Sequence, residues 1–284
     1  MNSKKAIVML SGGLDSRLVV KVMQEQGYEV ATLYFKLAFS KDNEKAVKEY
    51  CKKHKVKLKV FDYTKGKLLN EYIEMIKNPE HNRGSGVNPC IDCRSFMLNK
   101  AREYADKHQI DIIATGEVLG QRPMSQHKKA MGIIETDTKV KGRLIRPLIE
   151  LGLKGRRRDK QMKMAEKFRI DYPSPAGGCL LCEKALKKRF NFLINRGLNE
   201  EEIKLSNIGR HFIIDNCWIV LGRNEKENKI IEKLKTGTII LPEKIGPSAV
   251  ILDKCSEKIR EKVNKLIQAY SKGGNKKEFE GYLI

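Results

Sequence analysis

One stretch, AIVMLSGGLDSRLVV at residues 6–20, constrains the fold of this chain more than any other. Ala6 to Leu10 is a short, unbroken apolar run without polar alternation, as expected of a strand buried on both faces of a parallel sheet. The run stops at Gly12-Gly13. From Leu14 to Gln26 the apolar side chains Leu18, Val19, Val22 and Met23 fall at helical spacing. The order is therefore strand, tight turn, helix. Such a turn aims several backbone N–H groups at one point, glycines let a ligand approach them, and the helix dipole adds positive potential. The device suits a phosphate.

The rest of the first half repeats the strand–helix alternation. Strand-like runs at 6–10, 29–35, 57–62 and 110–115 alternate with helical patterns at 14–26, 42–54, 66–77 and 94–108. This predicts the α/β class, a parallel sheet covered on both faces. Ligands of such sheets bind beyond the carboxyl ends of the strands. Tyr34-Phe35 and Thr115-Gly116-Glu117 are expected to face the same crevice as the glycine turn. Three Gly- and Pro-bearing loops, 78–93, 118–131 and 171–182, break the pattern, and long loops in compact domains are often functional. Beyond Cys182 the character changes. A basic helical pattern at 183–196 leads to short alternating runs, HFIID, CWIVLGR, TIILP and SAVILD, and a helix at 256–271. We therefore expect a parallel-sheet domain over 1–182 and a smaller α+β domain over 183–284.

Charge narrows the partners. Fifty-seven Lys and Arg against 35 Asp and Glu leave a net +22. A lysine-rich surface of a heat-stable protein usually carries matching glutamate, and here the excess is uncompensated. A polyanion such as nucleic acid is the natural partner. No run approaches the ~18 apolar residues of a membrane span. The start, MNSKKAIVML, has neither a long apolar stretch nor a small-residue cleavage site, so a cytoplasmic location and no membrane partner are expected. In that compartment seven cysteines are not expected to form a disulfide framework. Four of them form two CxxC pairs, Cys90/Cys93 and Cys179/Cys182, while Cys51, Cys217 and Cys255 read as small apolar filler. Trp218, flanked by apolar residues, reads as core, and no two histidines are spaced as a ligand pair.

The turn is neither a dinucleotide fingerprint nor a Walker motif, since GxGxxG and Gly-Lys-Ser/Thr are both absent. SGGLDS resembles the SGGxDS signature of the PP-loop ATP pyrophosphatases. TGEVLGQRPMSQ and RLIRPL resemble segments of tRNA 4-thiouridine synthetases, although Pro123-Met124 departs from that pattern. NPCIDC and SPAGGCLLC resemble the two cysteine sites of tRNA 2-thiouridylases, and WIVLGRNEKENKII resembles NFACT-type RNA-binding modules. The resemblance implies that ATP is split between its α- and β-phosphates, with Ser11, Gly12, Gly13, Asp15 and Ser16 on the pyrophosphate. It implies that Gly116, Gln121 and Arg122 close on the nucleotide. Asp15 alone would repel phosphate, and a Mg2+ ion between them, a hard cation that takes oxygen ligands, resolves this.

The cysteines leave three readings open: a [4Fe–4S] cluster, a persulfide relay, or structural zinc. Four thiolates suit zinc, but zinc ribbons space their pairs ~15–20 residues apart. By resemblance to the 2-thiouridylases, Cys93 and Cys179 are the catalytic pair. The extra Cys90 resembles the arrangement of [4Fe–4S] thiolases, which implies the ligand set Cys90, Cys93 and Cys179, with Cys182 as a further candidate. The implied reaction is ATP-dependent tRNA sulfurtransfer. A uridine carbonyl oxygen is adenylated and then replaced by sulfur, which comes from sulfide or a cysteine desulfurase. Arg156, Arg157 and Arg158, and Lys187, Lys188 and Arg189, lie in basic runs and are candidate tRNA phosphate contacts. Two other classes remain: a PP-loop ligase or sulfur-insertase acting on a small molecule, and a non-catalytic RNA-binding protein with structural zinc.

Overall fold

A computed structural model describes residues 4–174 and 178–284. Pro175, Ala176 and Gly177, inside the second cysteine motif, lie outside the described residues. The chain divides into two compact units, Met1–Lys184 and Ala185–Ile284. Among the described residues no helix is long and apolar enough to cross a membrane.

The first unit runs β1 (Lys5–Met9), α1 (Leu14–Glu25), β2 (Glu29–Leu37), α2 (Glu44–Lys53), β3 (Lys57–Tyr63), α3 (Gly66–Lys77), α4 (Cys90–Lys107), β4 (Ile112–Thr115), α5 (Lys128–Thr138), β5 (Leu144–Ile145), α6 (Pro147–Glu150) and α7 (Asp159–Lys167). The five strands form one parallel sheet in the order β3-β2-β1-β4-β5. The expected α/β parallel sheet is present. Strand β1 is central, and its alternate side chains build two cores. Ala6, Val8 and Leu10 pack with Leu18, Val47 and Ala165 on one face. Ile7 and Met9 pack with Leu98, Ala101 and Ile134 on the other. This two-sided burial is why the strand carries no polar residue between them. Because β2 and β4 flank β1 on opposite sides, the chain order reverses there, and a crevice opens at the carboxyl ends of β1 and β4.

Two elements differ from the sequence expectation. The first CxxC is not the end of a loop: α4 begins at Cys90, with Pro89 as its N-cap. Cys90 and Cys93 therefore occupy one helical turn and one face. The Gly-, Pro- and Asn-rich approach masks a helix start, because proline presets φ for the first turn. The second is RLIRPL, whose resemblance is to a strand: only Leu144–Ile145 is strand (β5), and Pro147 opens α6.

The second unit contains α8 (Lys187–Arg196), α9 (Glu200–Leu205), β6 (Arg210–Ile214), β7 (Cys217–Leu221), α10 (Glu225–Ile231), β8 (Thr238–Ile240), β9 (Ala249–Ile251) and α11 (Glu257–Tyr270). Its antiparallel sheet, in the order β6-β7-β9-β8, buries Phe212, Ile219 and Ile251 against Ile259, Val263 and Leu266 of α11. This is the expected smaller α+β unit. Trp218 is fully buried, and its Nε1–H donates to His211 Nδ1 at 3.0 Å. The Nε2–H of His211 is left to donate to the Ile208 carbonyl at 2.8 Å.

Candidate active site

The glycine turn is built by close packing. Gly12 has φ +85°, and a Cβ there would lie 2.9 Å from Val47 Cγ2. Arg17, buried in α1, donates from Nε to the Gly12 carbonyl at 2.9 Å and from a terminal nitrogen to the Asp171 carbonyl at 2.6 Å. Its guanidinium also lies 4.9 Å from the centroid of the Tyr50 ring. The Arg17 charge thus ties the turn to neighbouring segments. Ser16 Oγ donates to the Gly13 carbonyl at 3.0 Å and stands 3.2 Å from Ser11 Oγ. At the end of β4, a Cβ on Gly116 would meet Ser16 N at 2.7 Å, so only glycine lets the start of α1 lie this close.

The loop after β4 reaches back to the turn. Gln121 Nε2 donates to Asp15 Oδ2 at 3.1 Å. Asp15 Oδ1 is buried and has no hydrogen-bond partner among the described residues. A carboxylate oxygen left this way is a ready ligand for a hard cation. The next residue, Arg122, is exposed, and a Cβ on Gly178 would lie 3.9 Å from its guanidinium. The Gln121-Arg122 dipeptide therefore touches the glycine turn on one side and the second cysteine loop on the other.

The two cysteine loops meet. Val87 N–H donates to the Leu181 carbonyl at 3.0 Å, and Leu180 N–H to the Phe39 carbonyl at 2.8 Å. A Cβ on Gly86 would lie 2.2 Å from the Leu181 carbonyl oxygen, so the approach of the loops depends on glycine there. Cys90 Sγ and Cys182 Sγ are 4.0 Å apart, and Cys90 also accepts from Asn88 Nδ2 at 3.2 Å. Cys93 Sγ is 4.0 Å from the hydroxyl of fully buried Tyr72. Burial and mutual contact disfavour the thiolate forms of Cys90, Cys93 and Cys182. The Cys182 contact and burial raise Cys90, the Cys179 contact raises Cys182, and burial pushes Cys93 up to about 12 despite Arg94. Arg122 opposes the rise at Cys90 and Cys182. Among the described residues no three His, Cys, Asp or Glu side chains are grouped so as to hold a metal ion.

An ion network that sequence reading did not find braces the site. Glu117 is 1% exposed at the end of β4. It accepts from Arg94 Nε at 2.8 Å, Arg146 Nε at 2.7 Å and Thr115 Oγ1 at 3.1 Å. Burial alone would raise its pKa, but the two arginines outweigh this and hold it below the usual carboxylate range. Arg146 also pairs with Glu135. The available signals were position: Arg94 follows Cys93, and Arg146 lies in RLIRPL. Tyr72 and Asn88 carried no such signal.

The candidate RNA residues divide. Arg156 and Arg157 are exposed, Arg158 is half-buried, and none has a carboxylate partner among the described residues. Gly155 N–H donates to the Leu119 carbonyl at 2.7 Å, so this run starts beside the loop bearing Gln121 and Arg122. In the second unit, Arg189 is half-buried with its guanidinium on the Ile284 carbonyl, and Lys188 reaches the Leu283 carbonyl. Lys187 alone of that trio points to solvent without such a tie.

Residues 1–167 match the family model of the thiamine biosynthesis protein ThiI. The chain belongs to the ThiI family. Residues 209–280 match the NFACT protein RNA binding domain, so this ThiI-family chain carries a second recognised module. It is similar to the tRNA-specific 2-thiouridylase MnmA of a Nitratiruptor species, 31% identical over 122 residues, 40% of this chain and 34% of that protein. It is also similar to the MnmA of Petrotoga mobilis, 31% identical over 136 residues, 42% of this chain and 36% of that protein. The ThiI-family chain spans about a third of the length of the curated relatives it matches. Among solved structures it is similar to a 4-thiouridine synthetase–RNA complex with bound ATP, with TM-score 0.47, 21% identity and coverage of 59% of this chain and 41% of that one. It is also similar to the U34-tRNA thiolase NcsA from Methanococcus maripaludis with its [4Fe-4S] cluster, with TM-score 0.41, 19% identity and coverage of 72% and 71%.

Proposed function

We propose that this chain is an ATP-dependent tRNA-uridine sulfurtransferase that forms AMP and pyrophosphate. The observation that carries the reading is the span of Gln121-Arg122: one side chain holds Asp15 of the glycine turn, and the next lies against the second cysteine loop. The PP-loop resemblance supplies the nucleotide chemistry, and the matching segments of the 2-thiouridylases supply the substrate class.

In this reading Ser11, Gly12, Gly13 and Ser16 surround the leaving pyrophosphate, whose charge the start of α1 stabilises. Asp15, through its unpartnered Oδ1, would hold Mg2+, which screens phosphate charge. Gln121 fixes the orientation of that carboxylate, and Gly116 lets the helix start close on the strand end. Arg122 neutralises charge at the α-phosphate. The uracil carbonyl oxygen attacks the α-phosphorus, forming an O–P bond as the bond to pyrophosphate breaks. Hydrosulfide then adds to the activated carbon, a C–S bond forms, the C–O bond breaks, and AMP leaves with the base's oxygen. A carbonyl oxygen leaves poorly until it is adenylated, which explains why ATP and sulfur are needed together. The target uridine must leave its stack to reach the site.

Cys90, Cys93 and Cys179 would hold a [4Fe–4S] cluster, with Cys182 outside the set; thiolates are the donors such clusters take. When bound, the cluster supplies an iron with an open position that keeps hydrosulfide deprotonated. Asn88, donating to Cys90, and Arg94, beside Cys93, favour the thiolate forms this requires. Without a cluster, a cysteine desulfurase would supply sulfane sulfur as a persulfide on one of Cys93 and Cys179; its outer sulfur would add to the activated carbon, the other cysteine would attack the inner sulfur, and the resulting disulfide would be reduced by an external dithiol. Arg156, Arg157, Arg158 and Lys187 bind tRNA phosphates, and the second unit adds RNA affinity of its own.

The test is to reconstitute the protein anaerobically with iron and sulfide, then add ATP and unmodified tRNA. Mass spectrometry of the nucleosides should show thiouridine. No thionucleoside, with iron and acid-labile sulfide present in the protein, would refute the reading.

A further inference from the structure

A groove lies against α7, and no residue of the glycine turn or of the cysteine motifs lines it. It is an open, shallow groove of about 430 Å3, lined by Asp159, Met162, Lys163, Glu166, Ile170 and Tyr172. Its wall is mixed: Met162, Ile170 and the Tyr172 ring are apolar, and two carboxylates and an ammonium stand among them. Met162 is 49% exposed, large for an apolar side chain on a helix with this much charge. The Tyr172 ring stacks on no other aromatic ring among the described residues. Its place is nonetheless fixed. Ile170 N–H donates to the Ala165 carbonyl at 2.8 Å, and the Asp171 carbonyl accepts from Arg17 at 2.6 Å. The ring is partly buried, packed against the core of the first unit, and its remaining surface borders the open groove, where a planar base can stack on it.

The surroundings point to the occupant. Lys154, Arg156, Arg157, Lys160 and Lys163 are exposed and have no carboxylate partner among the described residues. They run from the loop beside Leu119 along the start of α7 to the rim of the groove. An anion with a planar apolar part fits a ring flanked by such cations.

We propose that the groove takes an unstacked nucleobase of the tRNA, with the flanking phosphates on Arg156, Arg157 and Lys160; this rests on tRNA being the substrate. The base lies on the Tyr172 ring. The Asp159 and Glu166 carboxylates accept from an exocyclic amino group, so cytosine or adenine is preferred to uracil. This contact is separate from the uridine to be modified and sets how the RNA is held.

The test is binding of a fluorescent, unmodified tRNA transcript to the full chain without ATP, over a series of salt concentrations. Stacking on an aromatic side chain is lost in Y172L, which keeps an apolar side chain in the partly buried position, and affinity should fall about 5- to 150-fold. The salt slope should stay unchanged, while R156A and R157A each reduce it by about one. Y172F should bind like the parent. M162E, on the exposed rim, should weaken binding without changing thermal stability. Oligocytidine should compete better than oligouridine for the parent and equally for Y172L. Parent-like binding by both Y172L and M162E overturns the base site. Binding by the parent with no thiolation leaves the base site standing and refutes the enzymatic reading; no binding by the parent refutes both.

Discussion

Cys90 Sγ of α4 and Cys182 Sγ of the second cysteine loop lie 4.0 Å apart, although 92 residues separate them in the chain. The approach is set by backbone rather than by the sulfurs: Val87 pairs with Leu181, and Gly86 leaves room for it. Two CxxC pairs far apart in the chain thus come together, and the exposed Arg122 lies near Cys90 and Cys182.

The proposed ligand set separates the roles of the four thiols. C90S, C93S and C179S should each lose most of the iron taken up on anaerobic reconstitution, whereas C182S should keep it. N88A removes the donor to Cys90 and should weaken iron uptake about 10- to 100-fold. Iron analysis and the anaerobic absorption spectrum read both outcomes. Loss of iron in C182S would make the site a four-thiolate one.

Asp15 and Gln121 should separate differently. D15N removes a charged ligand from the metal–pyrophosphate site and should cut AMP formation about 100-fold or more. Q121A leaves the carboxylate but not its orientation, and should raise KM for Mg-ATP about 10-fold or more. Pyrophosphate release kinetics over a magnesium titration distinguish the two, since added magnesium should partly rescue Q121A and not D15N.

Glu117 is the centre of the brace between β4, α4 and the RLIRPL segment. E117A leaves Arg94 and Arg146 without their buried carboxylate and should destabilise the first unit by about 3–5 kcal/mol, seen as an earlier thermal transition. Because the folded Glu117 titrates below the unfolded glutamate, its stabilisation is complete above the unfolded pKa. It is lost as pH falls through the folded value, so the deficit of E117A should shrink in acid.

The second unit has its own pH response. Burial holds His211 down at about 3, below the usual histidine value of about 6.5. The unfolded ring takes up a proton as pH falls through 6.5 and the folded ring does not, so stability is full above 6.5 and declines toward 3. The slope is about 1.4 kcal/mol per pH unit well inside that window. Trp218 is the chain's one tryptophan and contacts His211, so urea melts followed by its fluorescence report this unit. Melts at pH 7.5 and 8.5 should coincide, and that at pH 5 should have a lower midpoint. In H211Q the difference between pH 7.5 and pH 5 should be much reduced.

Much of the fold was legible because its signals are local. The runs at 6–10, 29–35, 57–62 and 110–115 became β1 to β4, and the central β1 is continuously apolar because it is buried on both faces. Lys57 and Lys59 alternate along β3 and are exposed there, as an edge strand permits. The glycine turn was legible because Gly12 and Gly116 answer steric demands that leave few other residues. The start of α4 was not, since Pro and Asn before Cys90 read equally as loop. Nor was the brace. Glu117, Arg94 and Arg146 come from separate elements, and nothing in a one-dimensional pattern says which arginine will meet a carboxylate. Arg189 shows the converse: its place in a basic run suggested RNA, while packing commits it to the Ile284 carbonyl.

The account's central claim is that the glycine turn and the thiols serve one reaction centre. A crystal structure of the anaerobically reconstituted protein with magnesium and a non-hydrolysable ATP analogue tests it most directly. The account predicts β- and γ-phosphates on Gly12, Gly13 and Ser16, a metal ion on Asp15 Oδ1, and the α-phosphate beside Arg122, facing Cys93 and Cys179. A nucleotide bound elsewhere, or an α-phosphate walled off from the sulfurs, would contradict it.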